Sequence, residues 1–349
     1  MYKIYSDVAG DFFESDLSRA EIIPMEFIID EKVYTHTLDY SEMSKEEFLK
    51  KLKGEFESCR TNRIAQRAAT NTGLLEASVD RFEDKINQNR HTFNINLKET
   101  EVRNQKKSGR CWMFASLNLM EYKLCQKNNL KEFELSQNYT LFYDKLERSH
   151  YFLQSIVKTF DQDVHGRLVS HLLTDPMGDG GQWDMVVSLF EKYGVVPKSV
   201  YPESVASSNS RELNQYLNKL LRQDAQILRD LIAGGADQAA VQAKKEELLQ
   251  EIFNYLAMTL GLPPRQFDFA YRDKDDNYQS EKNITPQAFF EKYVGLKLSD
   301  YVSVINAPTA DKPYGKSYTV EMLGNVVGAP SVRYINLPMD RFKELAIAQ

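Results

Sequence analysis

The sequence predicts an α+β chain, mainly helical, with a short α/β segment at its start. Three observations carry this reading. Two short apolar runs followed by a helical pattern fill the first 55 residues, helical periodicity dominates from about Phe56 onward, and the later extended segments are few and short. The opening runs, residues 1–8 and 22–30, read as strands around an acidic, polar connection. The segment 41–52 then reads as a helix. Ser44 is suited to cap it, Glu46 and Glu47 favour its first turn, and Phe48, Leu49 and Leu52 form its apolar side.

The elements that follow are predicted in order. Residues 72–82 suit a short amphipathic helix, and 92–103 alternate as an extended strand does. Residues 111–127 are apolar on nearly every side at first, the pattern of a buried helix. Ser136 caps the next helix, through 160. The apolar run 167–175, with His171 and the nearby His165, reads as helical and leads into the glycine-rich segment 175–184. A helix over 184–193 stops at Gly194 and Pro197. Residues 211–260 form a helical hairpin: Leu213, Tyr216, Leu217, Leu220, Leu221, Ile227, Leu228 and Leu231 keep the helical period, Gly234-Gly235 breaks it, and Asp237 caps the second arm. The charged run 272–283 reads as a solvated loop, 286–295 as a helix, 331–338 as a strand, and 339–349 as an amphipathic helix.

Composition bounds the function. The chain has 349 residues, 42% hydrophobic and 27% charged, with a net charge of -6. These are values of a globular protein. No basic block implies nucleic acid, and no apolar run approaches a membrane span of roughly 18 residues. The N-terminus lacks the basic-then-apolar pattern of a secretion signal, so a cytoplasmic protein is expected. Three cysteines, Cys59, Cys111 and Cys125, do not make a disulfide framework. No metal-ligand spacing stands out, and no cofactor is expected.

The chemistry concentrates in residues 104–115, Asn-Gln-Lys-Lys-Ser-Gly-Arg-Cys-Trp-Met-Phe-Ala. A Ser-Gly turn leads straight into the apolar helix and places Cys111 at the helix N-terminus. Free backbone N–H groups and the positive end of the helix dipole favour a thiolate there, and the thiolate is the attacking species. Gln105 lies six residues earlier. Its side-chain amide and the backbone N–H of Cys111 can converge on one point, where they would stabilise a tetrahedral oxyanion. Removal of one such donor costs roughly 3–4 kcal/mol.

These residues resemble the nucleophile site of papain-like cysteine peptidases, whose Gln-x-x-x-Gly-x-Cys-Trp-x-Phe pattern is matched at Gln105, Gly109, Cys111, Trp112 and Phe114. The version Ser108-Gly109-Arg110-Cys111-Trp112 is similar to that of the bleomycin hydrolase/aminopeptidase C family. Ser108 stands where secreted relatives carry a disulfide cysteine, which fits a reducing compartment. The segments 62–74, 104–118, 134–148, 178–185, 193–204 and 318–328 also resemble that family, in order, so the resemblance covers about residues 53–349. It implies a papain-like fold, mainly its helical half, with a helical insertion at about 205–265. It further implies an aminopeptidase acting on peptides through an acyl-enzyme, commonly as a homohexamer. Gly180 and Gly181, carried over by the same resemblance, line the substrate cleft, where glycine lets a peptide backbone come close.

The family places its catalytic histidine and asparagine far downstream. The five histidines here are His36, His91, His150, His165 and His171. The expectation is therefore an aminopeptidase domain, 54–349, that is C-terminally incomplete, with exposed apolar surface and low solubility. The alternative is an inactive fragment or hybrid gene product that acts at most as a binding or assembly module. Residues 1–53, through Ser6-Asp7 and Asp11, weakly resemble the start of DegV-like fatty-acid-binding proteins, which implies a separate N-terminal extension.

Overall fold

The computed structural model describes residues 4–7, 20–23, 25–29, 32–36, 44–88 and 101–348. The chain divides into two compact units, Met1–Asn96 and Leu97–Gln349. Within the first, β1 (Ile4–Asp7) pairs in parallel with β2 (Ala20–Ile23), and β3 (Met25–Ile29) pairs antiparallel with β4 (Lys32–His36). The strand expected over 22–30 is thus shared between the end of β2 and β3. Helix α1 (Lys45–Ser58) starts where its capping signals lie. The Ser44 hydroxyl accepts from the Glu47 backbone N–H at 3.2 Å, and the Glu47 carboxylate accepts from the Ser44 N–H at 3.1 Å.

Helix α2 (Arg60–Thr72) ends at Gly73, whose φ of 86° closes the turn. The single helix expected over 72–82 is two, α3 (Leu74–Ser78) and α4 (Arg81–Gln88). The Asp80 carboxylate accepts from the N–H groups of Phe82 and Glu83, so it starts a new helix rather than continuing the old one. Of the strand expected over 92–103, residues 92–100 lie outside the described residues, as does Asp11. Residues 101–103 have no regular structure.

The second unit is organised around α5 (Cys111–Lys127) and α6 (Gln137–Lys158). Helix α5 has core on two sides. Leu117, Met120, Leu124 and Cys125 join one cluster with Tyr139, Val186, Phe190, Phe267, Phe289 and Tyr293. Met113 joins the other, with Phe142, Leu153, Leu217, Leu228, Ile252 and Leu256. The near-continuous apolar run of this helix follows from that double burial. Ser136 caps α6 as its sequence predicts, accepting from the Tyr139 N–H at 3.0 Å.

Helices α7 (Arg167–Thr174), α8 (Trp183–Tyr193) and the short α9 (Val205–Ser208) follow. His165 lies outside α7, in an exposed turn before it, where the Asp163 carboxylate accepts its backbone N–H. The hairpin of α10 (Arg211–Ala233) and α11 (Gln238–Leu260) turns at Gly234-Gly235, with Gly235 at φ 83°, and Asp237 caps its second arm. Its apolar stripe packs on α6. Tyr216 is the exception: it is exposed and packs on Tyr255.

Residues 272–283 are not a loop. They hold the last residue of β5 (Phe267–Arg272), a tight turn and nearly all of β6 (Tyr278–Ile284), which pairs antiparallel with β5. The Asp273 carboxylate accepts from the N–H groups of Asp275 and Asn277 and closes a tight turn at the tip. Phe267, Phe269 and Ile284 are buried, while most of β6 is exposed, so its charges are those of a solvated strand. Helix α12 (Pro286–Phe289) continues as a π-turn over Phe290–Val294 and ends at Gly295. A small sheet of β7 (Ser303–Ile305), β8 (Ser317–Tyr318) and β9 (Tyr334–Asn336) has β9 at its centre, and α13 (Met339–Ala348) follows.

Candidate active site

Cys111 is the first residue of α5 and is exposed to solvent. The first intrahelical bond runs from the Phe114 N–H to the Arg110 carbonyl at 3.0 Å. The N–H groups of Cys111, Trp112 and Met113 therefore precede the hydrogen-bond ladder, and no side chain caps them. A nucleophile on a rigid helix, with unpaired backbone donors beside it, is an arrangement able to carry acyl transfer.

Gln105 folds back onto the turn that delivers Cys111. Its amide nitrogen donates to the Ser108 carbonyl, and the Ser108 hydroxyl donates to the Gln105 carbonyl at 2.7 Å. An amide nitrogen has two N–H groups, so one is spoken for and one is available to a ligand. The segment before Gln105 is fixed by Arg103, which donates to Glu121 at 3.4 Å, Glu132 at 3.0 Å and the Phe133 carbonyl at 2.9 Å. Glu121 in turn accepts the Leu135 N–H at 2.8 Å. Burial pushes the Glu121 carboxyl up to about 7, against the opposing pull of Leu135 and Arg103.

Arg110, between the turn and the cysteine, is 1% exposed. Its guanidinium makes a two-pronged pair with Glu203 at 3.0 and 2.9 Å, donates to the Ser108 hydroxyl at 2.8 Å, and lies over the Phe114 ring. Nothing in the periodicity singles this residue out. Its position between Gly109 and Cys111 is the only sequence signal for it.

The segment Gly178–Gly181 meets the cysteine turn directly. The Trp112 indole N–H donates to the Asp179 carbonyl at 2.7 Å, and the Gly109 N–H donates to the Asp179 carboxylate at 2.9 Å. Gly181 lies against the Trp112 ring, where an added Cβ would come within 2.6 Å of its carbons. Gly180 is open: nothing lies within 4 Å of such a Cβ, and its carbonyl accepts from Arg148 at 3.0 Å. Gln105, Cys111, Gly180 and Gly181 are therefore tied to one connected stretch of surface.

Asp179 was not among the residues the motif singled out. Its carboxylate accepts from Lys145 at 2.7 Å, Ser210 at 2.5 Å and Asn214 at 2.7 Å besides Gly109. Burial works to raise this carboxyl, but Lys145 and the two side-chain donors outweigh it and hold it well below the usual carboxylate range. Lys145 is itself fully buried, and burial pulls its ammonium below the ordinary lysine value. The one sequence signal for Asp179 is a charged residue set inside Gly-x-Gly-Gly.

Three of the histidines, His150, His165 and His171, lie in the second unit. His150 is half-buried on α6, and burial lowers its pKa. His165 is in an exposed turn, and His171 lines a cavity of about 280 Å³ with Arg148, Tyr151 and Leu323. Among the described residues no group of three or more His, Cys, Asp or Glu is placed to hold a metal ion. Among the same residues no helix is long and apolar enough to cross a membrane.

Comparison with known proteins places these features in a family context. The profile of the Peptidase C1-like family matches residues 42–349. Aminopeptidase C of Streptococcus thermophilus is 73% identical over 303 residues, which cover 87% of this chain and 68% of that protein. Aminopeptidase C of Lactococcus lactis subsp. lactis is 54% identical over the same shares of each chain. Aminopeptidase G of Lactobacillus delbrueckii subsp. lactis is 39% identical over 302 residues, 86% of this chain and 68% of that protein. Among solved structures, PepW from Lactobacillus rhamnosis HN001 superposes with a TM-score of 0.84 at 50% identity, covering 88% of this chain and 69% of that one.

Proposed function

The chain belongs to the Peptidase C1-like family, and from that premise we propose that it is a cysteine aminopeptidase whose nucleophile is Cys111 and whose oxyanion donors are Gln105 and the Cys111 backbone N–H. The fold is papain-like, as the likeness to PepW bears out. The observation that carries the reading is the placement of an exposed cysteine at the unpaired N-terminus of a doubly buried helix, with Gln105 folded onto the same turn.

In this mechanism the Cys111 sulfur attacks the carbonyl carbon of a peptide's N-terminal residue. The carbonyl oxygen gains charge and is met by the Cys111 N–H and the free amide hydrogen of Gln105. The C–N bond then breaks, the remaining peptide leaves as an amine with a proton from a general acid, and water hydrolyses the thioester. Gly180 and Gly181 support the substrate: the open face of Gly180 leaves room for a peptide backbone, while Gly181 allows Trp112 to close the wall behind it. Peptides are the substrates. A homohexameric, cytoplasmic assembly belongs to the same proposal and rests on the family resemblance.

The test is hydrolysis of aminoacyl fluorogenic substrates beside a Cys111→Ala control. Turnover that disappears in the control supports the whole reading. Equal turnover in both proteins would remove Cys111 from it. No turnover, with Cys111 still selectively alkylated by iodoacetamide, would keep the nucleophile and mean that its base is not supplied within these 349 residues.

A further inference from the structure

Asp179 sits where four parts of the second unit meet. Its carboxylate takes the Gly109 N–H from the cysteine turn, the Lys145 ammonium from α6, and the Ser210 hydroxyl and Asn214 amide from the start of α10. Its own carbonyl takes the Trp112 indole N–H, one residue after the nucleophile. Its neighbours in sequence are Gly178 and Gly180. One residue therefore grips the backbone two positions before Cys111 and the side chain one position after it, and also begins the Gly180-Gly181 wall.

The fit is close as well as polar. A Cβ on Gly109 would come within 2.5 Å of the Asp179 Cβ, so the two chains touch where the turn enters the helix. Lys145 is fully buried, with its charge against Asp179. A buried ion pair of this kind is weak evidence for stability, but it is well suited to fixing one geometry, because each partner is costly without the other. The turn ahead of Cys111 carries no disulfide among the free cysteines. The charged clamp is what joins it to the glycine-rich wall.

We infer that Asp179 is a positioning residue that holds the Cys111 turn and the Gly180-Gly181 wall in register. The inference rests on Cys111 being the nucleophile. Asp179 touches no reacting atom and acts through Gly109 and Trp112. Loss of its carboxylate unties Gly109 from the glycine-rich wall, and Cys111 then loses its fixed orientation relative to that wall.

The experiment measures the rate at which iodoacetamide alkylates Cys111 at neutral pH, read residue by residue by mass spectrometry, in the parent chain and in Asp179→Asn. The buried Cys125 is the internal reporter of folding: it is alkylated only when the unit opens. The expected result is a Cys111 rate about fivefold lower in Asp179→Asn with Cys125 still protected. The direction is informative. Removal of a carboxylate beside Lys145 leaves excess positive charge, which on electrostatic grounds alone would favour a thiolate and speed alkylation. An unchanged or faster Cys111 with Cys125 protected would overturn the inference while leaving the nucleophile in place.

If Asp179→Asn exposes Cys125, then Ser210→Ala and Asn214→Ala, each deleting one donor to the same carboxylate, decide the question. Slower Cys111 alkylation in these folded variants supports the inference, and parent-like rates overturn it. A parent chain in which Cys111 reacts no faster than free N-acetylcysteine would instead remove the nucleophile reading on which the inference stands.

Discussion

Arg110 is a guanidinium taken out of water at the N-terminus of the helix that carries Cys111. Such a group is tolerated because each face of it is used: Glu203 pairs with two of its nitrogens, Ser108 accepts a third contact, and the Phe114 ring covers the carbon. Glu203 keeps partial access to water, with 22% of its side chain exposed, which lowers the desolvation cost on its side. Substitution of Arg110 by Met removes a charge whose partner then stays half-buried and unpaired. The expected loss is about 3 kcal/mol, at the lower end for broken buried pairs. Arg110→Lys is expected to lose less but not to be silent, since an ammonium cannot make the fork. Urea unfolding followed by tryptophan fluorescence checks both, because Trp112 and Trp183 are the only tryptophans and both lie in the second unit. A parent-like midpoint for Arg110→Met would show that the pair contributes nothing net.

At the scale of elements, the site is a contact between the start of α5 and the segment that connects α7 to α8. Gly180 and Gly181 play different parts in it, although they are adjacent and chemically identical. Gly181→Ala would push a methyl group into the Trp112 ring and is expected to cost about 1–3 kcal/mol, with a shifted tryptophan emission. Gly180→Ala meets open space and is expected to leave the unfolding midpoint within about 0.5 kcal/mol. If a peptide backbone lies along Gly180, the same variant weakens the protection that a peptide gives Cys111 against alkylation. Equal destabilisation by the two substitutions would contradict the packing described for this wall. The helical elements were largely legible in the sequence: Ser44, Ser136 and Asp237 start their helices, and Gly234-Gly235 turns the hairpin. These are local signals, written in a few neighbouring residues. The β5–β6 hairpin was hidden because β6 carries its polar residues on exposed faces, so the strand reads as a charged loop. Gln105 and Cys111 were legible from a motif, whereas Lys145, Asp179, Ser210 and Asn214 come together over separations of 31 to 70 residues, including the link to Gly109, with no pattern to announce them.

For the molecule as a whole, the buried ionisable groups set opposing demands on pH. Asp224 on α10 is 1% exposed, and one of its carboxylate oxygens has no hydrogen-bond partner. Burial first, and Glu251 second, push its carboxyl up to about 7, with Lys244 opposing. Glu121 is raised to about 7 as well, by burial. An acid whose pKa is raised by folding binds its proton more tightly in the native state. Between the unfolded value near 4 and the folded value near 7, the native state therefore holds more protons than the unfolded chain. Stability falls as pH rises through that window and levels off above it. Asp179 behaves oppositely. Its carboxyl is depressed in the native state, so its contribution is present above about pH 4 and is lost as the solution is acidified below that. The two effects act in different windows: the raised acids lose stability as pH rises from about 4 to 7, and Asp179 loses it as pH falls below about 4. Between about pH 5 and 8 Asp224 alone is expected to remove about 2 kcal/mol, since each tenfold difference in proton affinity between the two states is worth about 1.4 kcal/mol before solvent screening reduces it. Asp224→Asn should flatten this fall and make the second unit more stable than the parent at pH 8, as read by urea unfolding with tryptophan fluorescence at both pH values. A variant whose loss between pH 5 and 8 matched that of the parent would show that Asp224 is already ionised in the folded chain at pH 5, and that the α10 surroundings solvate it better than their burial implies.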